Sequence, residues 1–133
     1  MPFATALTLT TQRALDTTLS QNAMRFHGRI AIDSNYNGVA LSHNEGERIA
    51  GVMQSADIAF LGNHGVIVCG PSVAYAYDDL YYLERACMVE VLAARSGSTL
   101  APVNRTLVDK VALQLEGERL QSRLFFEALR RTL

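Results

Sequence analysis

Lysine is almost missing from this chain: Lys110 stands alone against eleven arginines. Arginine suits planar, bidentate pairing with carboxylates or phosphates, although base composition of the coding DNA is the simpler account of such a bias. An excess of one charge is missing too, since 12 basic residues face 13 acidic ones for a net charge of −1. That balance supplies no strong field for nucleic acid or an anionic membrane surface. Cysteine is scarce, and Cys69 and Cys87 show no CxxC or other zinc-ribbon spacing. Both fall in apolar segments, which predicts buried free thiols in a reducing compartment. No apolar run approaches the length of a membrane span, and threonines break up the N-terminal stretch that a signal peptide would need unbroken. The expected location is the cytoplasm, with no membrane span and no nucleic-acid partner.

What is present suits one domain with a modest core over 133 residues. Phe3, Leu7, Leu15, Leu19 and Met24 mark a loose helical pattern over 3–24, opened by Pro2 with no capping residue before it. A helix starting at the first residue suggests that a preceding segment was removed. Ile30 and Ile32 predict a strand over 29–33; a loop dense in turn formers follows over 33–38, and 39–41 is briefly extended. Ser42-His43-Asn44-Glu45 fits a capping box, opening a helix through Arg48, Ile49, Val52 and Met53. Further on, Ser72 is the expected N-cap of the clearest helix, with Val73, Tyr77, Leu80, Leu83, Cys87, Val91 and Ala94 at three- and four-residue steps and Gly97 at its end. Within it, Asp78 and Asp79 suit the positive end of the helix dipole, and Glu84 and Arg85 are expected on the solvated side. A linker over 98–105 then leads to a long helical arm over 106–133, weakened by Gly117, weakly tied to the core and suited to subunit contact.

The richest stretch is Leu61-Gly62-Asn63-His64-Gly65-Val66-Ile67-Val68-Cys69-Gly70. A polar Asn-His-Gly step separates the apolar runs Ile58–Leu61 and Val66–Cys69, which reads as strand, tight turn, strand. A histidine held at such a turn can offer an imidazole nitrogen to a metal or relay a proton. It can equally be a turn residue that merely caps a hairpin.

Several pieces in order resemble the class II aldolase/adducin family. They are Phe3-Ala4-Thr5-Ala6-Leu7, Tyr36-Asn37-Gly38, Glu45-Gly46-Glu47-Arg48-Ile49-Ala50, Asn63-His64-Gly65-Val66 with Gly70, and Leu83-Glu84-Arg85-Ala86-Cys87 followed by Val91-Leu92-Ala93. The resemblance covers about residues 2–97, so 1–97 is read as the C-terminal portion of such a domain. It implies an α/β/α layered fold, a central mostly antiparallel sheet flanked by helices and here incomplete at the N-terminus, usually assembled as a homo-oligomer. It also implies zinc or a similar divalent metal held by three histidines, which polarises a carbonyl so that an enediolate forms and a carbon–carbon bond of a small hydroxy-carbonyl substrate breaks or forms. Adducin members keep the fold without this chemistry, as cytoskeletal scaffolds.

On that resemblance His64 matches the third metal histidine. The other two belong to a His-x-His step just before the Pro2–Leu7 helix and would fall before or at Met1, with the acid/base glutamate further upstream. The expectation is therefore a chain with one ligand of three and little or no turnover. A catalytic zinc needs three protein ligands and an open position, and the other candidates are poor ones. Cys69, five residues from His64, would point to the opposite strand face; Cys87 belongs to an apolar stripe, His27 precedes a strand, and His43 lies in the capping turn. Tyr36 is a lesser catalytic candidate, its phenol able to donate to an oxyanion, or else a tyrosine that covers the sheet edge.

Overall fold

A computed structural model describes residues 1–10 and 13–132. Three short strands form its sheet: β1 (Ile30–Asp33), β2 (Ile58–Leu61) and β3 (Gly65–Val68), in that spatial order. β1 and β2 run parallel, Ile30 opposite Ile58 and Asp33 opposite Leu61, whereas β2 and β3 are the antiparallel hairpin, Phe60 opposite Val66. Parallel neighbours need a crossover, and the helix His43–Met53 provides it. In sequence order the helices are α1 (Pro2–Thr10), α2 (Gln21–Met24), α3 (His43–Met53), α4 (Val73–Arg95), α5 (Arg105–Gly117) and α6 (Leu120–Arg130).

β2 is buried along its whole length because both sheet faces are covered, which explains its unbroken apolar run. Ile58 and Phe60 point into the main core, against Ala4 and Leu7 of α1, Phe26, and Leu83, Ala86 and Cys87 of α4. Ala59 and Leu61, on the opposite face by strand alternation, are also buried. α3 packs against β1 and β2, which gives a small α/β sheet flanked by helices.

Several expectations need correction. The pattern over 3–24 is two helices, not one. Asp16 accepts hydrogen bonds from the Thr18 amide (2.9 Å) and hydroxyl (2.6 Å), and Ser20 caps α2, so local side-chain bonds displace the helix between them. Thr11 and Gln12, within that expected helix, and Leu133, at the end of the arm, lie outside the described residues. The cap missing from the start of α1 comes from α4: both Glu84 oxygens accept, from the Phe3 and Ala4 amides, each at 2.9 Å. Glu84 is thus half-buried rather than on the solvated side, while Arg85 is exposed and lies over the Tyr81 ring. Residues 39–41 form no strand; the Leu41 amide folds back onto the Val39 carbonyl. The capping box is half closed: Ser42 accepts from the Glu45 amide, but the Glu45 carboxylate turns to Arg48. Cys69 is exposed, because it follows the end of β3, and only Cys87 is buried.

Asp78 and Asp79 do lie in the second turn of α4, but they do more there than complement its dipole. They lie on the buried face of α4, as does Leu83 one turn on from Asp79. Asp79 accepts from Arg119 (2.5 and 2.9 Å), Arg29 (2.6 Å) and Arg25 (3.1 Å); Asp78 accepts from Arg25 and from the Ser122 hydroxyl (2.7 Å). Burial alone would push the Asp79 carboxyl up, but these guanidinium bonds hold it below the usual range. The cluster draws the C-terminal arm onto the domain, and Phe125 and Phe126 pack on Tyr77 and Tyr81. The arm is therefore firmly seated, and it is two helices that break after Gly117.

Candidate functional site

Three segments meet around His64: the loop after β1, the start of α3 and the β2–β3 turn. In the turn, the His64 amide donates to the Leu61 carbonyl (3.1 Å), and Asn63 takes φ 58°, a left-handed conformation that asparagine tolerates. Gly62 lies against the backbone of the neighbouring strand. Its amide donates to the Asp33 carbonyl at 2.6 Å, and a Cβ there would sit 3.2 Å from that oxygen and 3.3 Å from the Ser34 Cα. A larger residue would have to push that backbone back by a few tenths of an ångström, so glycine suits this close approach, which ties the His64 turn to the end of β1.

Arg48 holds the opposite side together. It reaches both Asp33 oxygens (3.1 and 2.7 Å), both Glu45 oxygens (2.7 to 3.1 Å) and the Asn35 carbonyl (3.3 Å). Asp33 also accepts from the Asn35 amide at 3.0 Å, so the loop leaves β1 in a fixed direction. The Arg48 bonds lower the Asp33 carboxyl below its ordinary range in spite of burial, and they lower Glu45 in the same way. Tyr36, Asn37, Ile49, Leu61 and His64 complete the walls of a cleft of about 90 Å³.

The structure thus brings Tyr36 and His64 to one cleft, both exposed. It leaves the other histidines elsewhere. His27 Nδ1 meets the Thr17 hydroxyl at 2.8 Å and its Nε2 lies 3.3 Å from Asp109. His43 is exposed at the start of α3, its Nε2 3.2 Å from Glu47. Burial pushes the Cys87 thiol far up, which keeps it protonated and inert as a ligand. Sequence reasoning overlooked Arg48 and Asp33. The spacing of Glu45 and Arg48 on one helix face carried half of that signal, but nothing local points Arg48 at a residue of β1.

The family described as the class II aldolase and adducin N-terminal domain matches residues 1–91. The chain belongs to the class II aldolase and adducin family. A protein of Pseudomonas aeruginosa named "Putative aldolase class 2 protein" is 38% identical over 65 residues, 49% of this chain and 25% of that protein. A protein of the same description from Caulobacter vibrioides is 36% identical over 70 residues, 50% of this chain and 27% of its own length. Among solved structures, an aldolase II superfamily protein from Pseudomonas syringae superposes with a TM-score of 0.83 at 29% identity, covering 99% of this chain and 53% of that one. L-fuculose 1-phosphate aldolase from Glaciozyma antarctica PI12 gives 0.76 at 20% identity over 98% and 49%, a likeness of fold alone. The chain spans about half the length of these structures, and its matched stretch about a quarter of the curated relatives.

Class II aldolases generally use a divalent metal. The donors around His64 do not fit one. Arg48 already engages both carboxylates of the cleft, and its own positive charge opposes a second cation there. Tyr36, Asn35 and Asn37 offer only neutral oxygens. Among the described residues, no three His, Cys, Asp or Glu side chains form a group able to hold a metal ion. No helix among them is long and apolar enough to cross a membrane.

Proposed function

We propose that residues 1–97 are the C-terminal portion of a class II aldolase-type domain. Its parent activity is metal-dependent carbon–carbon lyase action on a small hydroxy-carbonyl substrate. His64 is one metal ligand of the parent site, and Tyr36 faces the substrate, where its phenol can donate to a developing oxyanion. On these 133 residues alone, turnover is absent or nearly so. One observation carries this reading: with Asp33 and Glu45 clamped by Arg48, His64 is the cleft's one uncommitted strong metal donor among the described residues. A zinc site needs three.

A second reading, a non-catalytic adducin-like scaffold, draws support from apolar side chains left in water on the arm, 106–133. Leu113 is 76% exposed and Leu120 60% exposed, the kind of surface that serves assembly. Both readings place the protein in the cytoplasm as a homo-oligomer.

The deciding measurement is metal content per polypeptide after purification without chelators, for the wild type and for His64→Ala. Absence of zinc or another divalent ion from both supports the incomplete-site reading, and sedimentation of the same samples then reports on assembly. Stoichiometric metal that disappears in His64→Ala overturns it, because a full ligand set must then be assembled around His64 from other copies or polypeptides.

A further inference from the structure

Asn37 and Gly38 form the only Asn-Gly step in the sequence. Both residues are exposed, outside any helix or strand, in the loop that walls the His64 cleft. Gly38 adopts φ +93°, and nothing lies within 4 Å of where its Cβ would be. No hydrogen bond occupies the Gly38 amide among the described residues, and the Asn37 side chain is held only by a 3.5 Å donation to Glu45. The Asn37–Gly38 step is thus exposed to solvent, with open space beside the Gly38 Cα, and glycine offers the least steric hindrance to attack by its own amide nitrogen on Cγ of Asn37, the carbon of its carboxamide.

The other five asparagines lack this combination. Asn22 lies in α2, and the following amide of Ala23 donates to Ser20. Asn35 precedes the bulky Tyr36. Asn44 lies in α3, and the amide after it, that of Glu45, is bound by Ser42. Asn63 is followed by the His64 amide, which is tied to Leu61. The Asn104 side chain is engaged as the cap of α5, accepting from Leu107 at 3.0 Å.

We propose that Asn37 is a modification site at which the cleft gains a carboxylate without any enzyme. The Gly38 amide nitrogen loses its proton to solvent base and attacks Cγ of Asn37. A new N–Cγ bond forms, the Cγ–Nδ2 bond breaks, and ammonia leaves with a proton from water. Water then opens the cyclic imide at either carbonyl, giving aspartate or isoaspartate; nothing is oxidised or reduced. The change replaces the amide that donates to Glu45 by a negative charge facing it, in a wall that already holds Asp33 and Glu45 against one Arg48. The isoaspartate form also lengthens the backbone beside Tyr36.

The test ages the folded protein at mildly alkaline pH beside a synthetic peptide of residues 30–48 and the Asn37→Gln variant, in which the corresponding ring forms far more slowly. Peptide mapping by mass spectrometry and isoaspartyl methyltransferase labelling report the products. The expected result is conversion at Asn37 ahead of the other five asparagines, at a rate within an order of magnitude of the free peptide, and loss of the label in Asn37→Gln. Protection of the folded protein by more than an order of magnitude, or an earlier conversion elsewhere, overturns the proposal.

Discussion

Arg48 serves two carboxylates and a backbone carbonyl, so its removal leaves Asp33 buried without its strongest donor. Arg48→Ala is expected to cost about 1–3 kcal/mol, the penalty of an unsatisfied buried acceptor. Arg48→Lys recovers only part of that, because an ammonium cannot span both carboxylates in a planar fork. The Asp33 pairing also has a pH signature. The Asp33 carboxyl is held below its ordinary value, chiefly by the Arg48 hydrogen bonds. A depressed folded value means that the stabilisation is complete above the unfolded pKa of about 3.9 and is lost as pH falls through the lower folded one. Urea denaturation of wild type and Asp33→Asn should therefore give a stability gap that is constant near neutrality and closes only in strong acid. A gap that closed between about pH 5 and 7 would assign it to some other group.

Among the elements, α1 depends on a residue eighty positions away. Its first turn has no side-chain cap of its own, and the Glu84 carboxylate takes two free amides at the positive end of its dipole. Glu84→Ala is expected to lower stability by about 1–2 kcal/mol. Glu84→Gln, which keeps one acceptor, should cost less, with faster amide exchange confined to the start of α1. Here lies the limit of what the sequence made legible. The β2–β3 hairpin, the Ser42 and Ser72 caps and the Gly97 stop of α4 could be read because a local pattern determines each of them. Tyr36 and His64 were readable as candidates through the motifs around them. Glu84, Asp79 and Arg48 were not, since each answers to a partner brought near only by the fold. A charged residue on a periodic helix looks solvated until the opposite surface is known.

Over the whole molecule, Asp79 ties together α4, the approach to β1 and the junction of α5 with α6. Asp79→Asn leaves three arginines around a neutral amide. Removing one partner of a buried ionic cluster typically costs about 3–5 kcal/mol, and that loss should appear in equilibrium denaturation as a lower midpoint. The first segment to open should be the arm, with early proteolytic cleavage within 98–105. If Asp79→Asn matched the wild type in both assays, the cluster would not be what seats the arm.

The same cluster carries a kinetic consequence. Arg25, Arg29 and Arg119 stand 54, 50 and 40 positions from Asp79 along the sequence. Contacts across such separations are reached only after the intervening loops have closed. The cluster should therefore form after the folding barrier, as a latch rather than a nucleus, and Asp79→Asn should speed unfolding while leaving the refolding rate almost unchanged. Persistence of the native state, how long one molecule stays folded before it opens, would then rest on a single carboxylate.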